Sequence, residues 1–393
     1  MVAETAQQFE ALEAQAATLM ELFSGAGYEA VAPAMIQPAR VYLDRLGEEI
    51  RGRTYLFTDL HGEELCLRPD LTVPVCRLYL ERHPAADTQE RYCYNGPAFR
   101  YGVAGRIGGS AREFRQAGIE LIGADDTIEA ETEVVRLAIE AMAAVGLSDY
   151  QLKLGDLGLF EALIDALDMP ERWRLRLWHA FWQPARFHDL LHQLAAGQGS
   201  GISEPTSALL AQLDPDDIDG AEQKVADYLE ANGIPVIAQR TPREIAERLC
   251  ERAADARQDS LPKEAVSLIE DFLAVEGPPG EAIDRIAALA RDAGIDISSA
   301  LDKFHAQLAS FALHGIGLDE AEFDAEFGRN IEYYTGFVFQ ITCVVRGVST
   351  WIAGGGRYDS LLSELGSPAR VPAVGCAIHT ERLLAAVLGG END

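Results

Sequence analysis

Apolar residues recur every three or four positions over residues 5–24, with Phe9, Leu12, Ala16, Leu19 and Phe23 on one stripe that stops at Gly25 and Gly27. That spacing predicts an amphipathic helix ended by glycine. The period then shortens. "YEAVAPAMI" (28–36) predicts a strand, and "TYLFTDLHGEELCLRP" (54–69) a hairpin of two β-prone runs parted by turn residues. "DLTVPVCRLYLERH" (70–83) predicts a helix, followed by strands in "RYCYNGPAFRYG" (91–102) and "EFRQAGIELIG" (113–123). An amphipathic helix over 127–146 and a strand in "YQLKLGDLG" (150–158) complete the first half.

From 157 to about 314 helical periodicity dominates, broken by the loop chemistry of "AAGQGSGISEPTS", "LDPDDIDG" and "VEGPPGEA". Strand texture returns in "YYTGFVFQITCVVRG" (333–347) and "STWIAGGG" (349–356). Helix "RYDSLLSELG" (357–366), strand "VPAVGCAI" (371–378) and helix "TERLLAAVL" (380–388) follow. Strands and helices cluster instead of alternating, which predicts an α+β domain on an antiparallel sheet. The expected organisation is a core from residues 1–156 and 315–393, interrupted by a mostly helical insertion at 157–314.

Charge narrows the function. Thirty-three Lys and Arg against 63 Asp and Glu leave a net −30, a surface that repels phosphate backbones and anionic lipid. General nucleic-acid binding and membrane association are therefore not expected. The six cysteines form no CxxC pair and sit mostly in apolar runs, as buried reduced thiols do. No basic leader precedes an apolar stretch and no run of eighteen apolar residues occurs, so a cytoplasmic protein is expected.

Several short stretches carry candidate chemistry. In "EFRQAGIELIG", strand alternation puts Gln116, Gly118 and Glu120 on one face, an amide and a carboxylate around a glycine. Such a face suits a small polar ligand, and equally a solvated strand. In "LRPDLT", Asp70 and Thr72 can meet an ammonium group, although an Asp ahead of a helical run is also an ordinary cap. "GRNIEYYTG" sets Arg329 before Tyr333 and Tyr334, a carboxylate grip beside phenols, or a surface Arg beside half-buried rings. "IAGGGRYDSLL" has a glycine run between strand and helix but lacks dinucleotide or P-loop spacing. His188 and His192 stand four apart, yet the glutamate of a zinc helix is missing, and no metal site is expected. No cofactor is expected either.

Together these stretches resemble the histidyl-tRNA synthetase family of class II synthetases, in order, over roughly 5–160 and 315–390. "GYEAVAPAMI", "FR…EFRQAGIELIG" and "AVGCAIHTERLL" are similar to its three class motifs. "LRPDLT", "RNIEYYTG" and "GGGRYD" are similar to its histidine-binding segments. The resemblance implies a class II synthetase-like α+β fold and a histidine pocket made of Asp70, Thr72, Gln116, Glu120, Arg329, Tyr333, Tyr334 and Tyr358. Asp70 stands where the family has Glu.

The departures are as informative. The resemblance implies a nucleotide site in which Arg100 and Arg382 remain, Gly102 replaces an ATP-orienting glutamate, and His379 replaces a glycine against which adenine packs. Adenylation needs in-line geometry, and a misplacement of about 1 Å can cost on the order of a hundredfold. The chain ends eleven residues after Arg382, so no anticodon-binding domain and no tRNA partner are expected. This combination resembles the ATP phosphoribosyltransferase regulatory subunits, non-catalytic paralogues of the synthetase. That family implies allosteric histidine sensing in histidine biosynthesis. Its partners would be a short-form ATP phosphoribosyltransferase catalytic subunit and a second copy, in a homodimer within a hetero-octamer. The alternative is a truncated synthetase-like enzyme that activates histidine.

Overall fold

The strand-prone runs find one another across large sequence separations. In the computed structural model, which describes residues 5–43, 52–101, 112–181, 183–196, 209–210, 212–215, 217–232, 241–256, 260–327 and 333–390, twelve strands form two sheets. They are β1 (Glu29–Ala30), β2 (Ile36–Pro38), β3 (Tyr55–Thr58), β4 (Glu64–Leu67), β5 (Glu90–Phe99) and β6 (Glu113–Ile122). The remainder are β7 (Gln151–Asp156), β8 (Glu276–Gly277), β9 (Glu322–Asp324), β10 (Phe337–Val345), β11 (Val348–Arg357) and β12 (Ala373–His379). The large sheet runs β1-β5-β6-β12-β11-β10-β7-β9-β8, and β2-β4-β3 form a separate small one. Pairing in the large sheet is antiparallel except at β1–β5 and β7–β9. The fold is the expected α+β arrangement, a mainly antiparallel sheet flanked by helices.

Local chemistry explains most boundaries. Helix Ala6–Gly25 opens on a capping box, with the Gln8 N–H donating to Thr5 Oγ1 at 3.2 Å and the Thr5 N–H to Gln8 Oε1 at 3.0 Å. Its buried face carries Leu12, Ala16, Leu19 and Phe23, whereas Phe9 is 51 % exposed, one turn too early to reach the core. The hairpin 54–69 forms as expected, as β3 against β4. The strand expected at 28–36 splits into β1 and β2, because Pro33 stands between them and its carbonyl accepts from Arg68 Nη1 instead of a ladder partner. The helix expected at 357–366 shrinks to Leu361–Glu364. Arg357 is held in β11, and the Tyr358 N–H donates to Ala373 O at 2.8 Å, so the chain is pinned to the sheet before it can coil.

Two compact units result, residues 1–166 with 271–393, and residues 167–270. The second is helical, with one core of Leu209, Leu210, Leu213, Val225, Ala246 and Cys250 among its residues. It is narrower than the 157–314 insertion expected. Helices Pro279–Ala293 and Ser298–Leu313 belong to the larger unit. Phe304 packs edge-on to Phe323 of β9, Phe311 packs on Phe337 of β10, and Ser310 Oγ lies 2.8 Å from Thr132 Oγ1. An amphipathic period states that a helix has an apolar face, not which sheet that face covers.

The larger unit buries an ion cluster. Arg357, 2 % exposed, donates from Nε to Glu131, from Nη1 to Asp359 at 2.8 Å, and from Nη2 to the Thr127 carbonyl at 2.9 Å. Burial works against its charge, but Glu131 and Asp359 outweigh burial and hold its pKa above the ordinary value. The cluster fastens the end of β11 to helix Thr127–Ala144. Removing one partner leaves a charge uncompensated in the interior. Glu131→Ala is therefore expected to cost about 3–5 kcal/mol of stability, read as a lowered urea midpoint.

Candidate ligand pocket on the sheet

Three cross-strand rows build one face of the large sheet. The register aligns Tyr92, Glu120, Gly375 and Gly356 in the first row, and Tyr94, Gly118, Ala377 and Gly354 in the second. The third holds Gly96, Gln116 and His379. Directly paired residues share a face, so the alternation expected for Gln116, Gly118 and Glu120 is realised. The middle of this face is lined by glycine and alanine, and that is what leaves room. A Cβ at Gly118 would stand 2.5 Å from the Tyr94 hydroxyl, and one at Gly375 would collide with the Glu120 carboxylate.

Glu120 is the centre of the hollow, only 1 % exposed. Its Oε1 accepts from Thr72 Oγ1 at 2.7 Å and from the Tyr94 hydroxyl at 3.1 Å, and its Oε2 accepts from the Tyr358 hydroxyl. Burial pushes its pKa up to about 7, against the opposing pull of those three hydroxyls. Asp70 is buried nearby, and burial raises its pKa too, opposed by the Val73 N–H and by Arg100 and Arg68. Its Oδ1 accepts from the Val73 N–H at 3.1 Å, so Asp70 serves the start of helix Thr72–Arg82 while also lining the cavity.

The expected pocket residues Asp70, Thr72, Gln116, Glu120, Tyr333, Tyr334 and Tyr358 line a single cavity, joined by Arg100. Tyr333 packs edge-on to Tyr334 and Tyr358, at 5.1 and 5.9 Å between ring centres. Arg329 and Gly102 lie outside the described residues. Arg100 donates from Nε to Pro69 O at 2.8 Å, with its guanidinium over the Phe114 ring. His379 sits at the same end, 4 % exposed, with ring centres 5.2 Å from Phe114 and 4.8 Å from Trp351. Burial, then Arg382 and Arg100, bring its pKa down to about 3, so it is a neutral ring at physiological pH. Arg382 donates from Nη1 to Trp351 O at 3.1 Å. The imidazole thus fills the aromatic slot between Phe114 and Trp351.

Sequence reasoning missed Tyr94, Trp351 and Arg357. Tyr94 carries a usable signal, since it alternates with Tyr92 on a strand that pairs with Glu120's. Trp351 and Arg357 carry none, because their roles arise from a bulge and from a helix 226 residues away in sequence. His192 Nε2 lies 3.7 Å from Glu270, and no group of three or more metal-ligating side chains occurs among the described residues.

The histidyl-tRNA synthetase family model matches residues 4–256 and 236–383. A regulatory subunit of ATP phosphoribosyltransferase from Mesorhizobium japonicum is 38 % identical over 371 residues, covering 94 % of this chain and 96 % of its own. One from Chelativorans is 37 % identical at the same coverage. The chain belongs to the family of ATP phosphoribosyltransferase regulatory subunits. Solved structures agree on the fold. A Bacillus halodurans ATP phosphoribosyltransferase regulatory subunit/histidyl-tRNA synthetase has a TM-score of 0.65 at 20 % identity, covering 98 % of this chain and 82 % of its own. The histidyl-tRNA synthetase of Nostoc has a TM-score of 0.62 at 15 % identity, covering 100 % and 76 %.

The carboxyl of Glu120 loses its proton near pH 4.5 in the unfolded chain and near pH 7 in the folded one. Between those values the folded state holds more protons, so this group's contribution to stability falls as pH rises through the window. Glu120→Gln is expected to abolish a decline on the order of 3 kcal/mol, followed as urea midpoints from pH 4.5 to 8.

Proposed function

We propose that this chain is the non-catalytic regulatory subunit of an ATP phosphoribosyltransferase, and that its sheet cavity binds histidine as the feedback effector. The observation that carries the reading is the polarity of the cavity. Asp70, Glu120 and the Thr72 and Tyr358 hydroxyls line one cavity together with the Arg100 guanidinium. A zwitterion with a second basic group matches that set of charges, its cationic groups at the carboxylates and its carboxylate at a guanidinium. The cavity encloses only about 30 Å³, room for one or two waters. Entry of histidine therefore requires lining side chains to move.

Filling of the slot between Phe114 and Trp351 by His379 supports a role without ATP-dependent activation. The proposed partner is a short-form catalytic subunit, the assembly a hetero-octamer in the cytoplasm, and tRNA plays no part. Met35, Ile36, Leu56, Phe57 and Leu60 are exposed apolar side chains on and beside the small sheet, candidates for homodimer contact within that assembly. Coupling between histidine and catalytic activity would amount to about 1–3 kcal/mol and be reciprocal, so substrates of the catalytic subunit should weaken histidine binding.

Mixing the chain with the short-form catalytic subunit tests the reading. Phosphoribosyl transfer should rise on mixing and fall when histidine is added. Glu120→Ala should weaken calorimetric histidine affinity about tenfold or more and relieve inhibition while leaving assembly intact. Unchanged affinity in that variant removes Glu120 from the pocket. Retention of Arg100 and Arg382 favours the second reading, histidine activation. Histidine-dependent pyrophosphate exchange by the chain alone would establish it in place of the first.

A further inference from the structure

A β-bulge lies where β10 pairs with β11. Ile341 pairs with Ala353, but the next residue, Thr342, pairs with Trp351, so β11 has one residue more than its partner. The extra residue re-aims the side chain beyond it, and such bulges favour the edges of functional sites. Regular alternation would send Trp351 to the face opposite Gly354. Instead its Nε1 lies 2.8 Å from where a Cβ of Gly354 would stand, and its indole lines the cavity. Only glycine at 354 leaves space for that ring.

Two buried polar atoms on this cavity have no hydrogen-bond partner among the described residues, Trp351 Nε1, a donor, and Gln116 Oε1, an acceptor. Leaving such groups unpaired costs free energy, and a ligand can supply the missing partners. Trp351 lies beside Arg382 and His379. Its ring is edge-on to His379, which pairs with Gln116 across the sheet, and the Arg382 guanidinium stands 5.8 Å from its ring centre. Glu120 and Trp351 line the same cavity, so a small amino acid held by the carboxylate can meet the indole N–H.

We infer that Trp351 is a ligand-binding residue of this cavity, its indole N–H donating to the carboxylate of the bound amino acid. The inference rests on the histidine reading above and adds to it a group that reads the ligand's carboxylate.

The test compares L-histidine with histidinol, in which an alcohol replaces the carboxylate, by calorimetry on the full chain and two variants. The unmodified chain should prefer histidine. Trp351→Phe should lose about tenfold in histidine affinity and keep its histidinol affinity, which also shows that the variant folds. Gly354→Ala, which pushes the indole aside while leaving it present, should reduce the same preference. An unchanged preference in both variants overturns the inference, as does an equal loss for both ligands, which would make Trp351 a packing residue. Absence of histidine binding by the unmodified chain overturns the reading of the cavity and this inference with it.

Discussion

A carboxylate placed where water barely reaches governs this molecule. Glu120 is buried against glycine, and an unpaired charge there would cost several kcal/mol. Three hydroxyls answer it, from Thr72 at a helix start, Tyr94 on β5 and Tyr358 just beyond β11. Each comes from a different stretch of chain, so satisfying one side chain fixes the mutual position of a helix and two strands. The glycines at 118 and 375 follow from the same requirement, because a methyl group at either would displace the hydroxyl or the carboxylate itself.

The Arg357 cluster is the support behind that arrangement. Arg357 immediately precedes Tyr358, and its three side-chain hydrogen bonds leave β11 little freedom to slide against helix Thr127–Ala144. Asp359 extends the hold by accepting from both Arg357 and the Ala373 N–H. A buried ion pair adds little net stability compared with apolar packing, but it is strict about geometry. Strictness is what a tyrosine that must reach Glu120 needs.

The polar groups of the site differ in character. Glu120 is densely hydrogen-bonded, while Arg100 and Arg382 donate to backbone carbonyls, and Gln116, Trp351 and His379 keep buried polar atoms without a partner among the described residues. Among ATP phosphoribosyltransferase regulatory subunits a synthetase-like fold carries a regulatory role. His379 packs between Phe114 and Trp351, a ring of the protein standing between two aromatic rings.

Much of this was legible in the chain alone. Period-two and period-3.6 patterns marked most strands and helices, because those patterns record which face is buried. Gln116, Glu120, Asp70 and Thr72 could be named from local spacing and resemblance, and the structure gathers them around one cavity. What the sequence could not determine was everything that depends on two distant stretches meeting. Helices Pro279–Ala293 and Ser298–Leu313 joined the sheet and not the helical unit, since periodicity does not name the surface a helix covers. Arg357 acquired Glu131 only through tertiary packing, and Trp351 turned into the cavity only because one strand gained a residue against its neighbour. Local spacing determined which groups were available. The register of β5, β6, β12 and β11, a property of paired strands and not of any one of them, decided which of those groups touch.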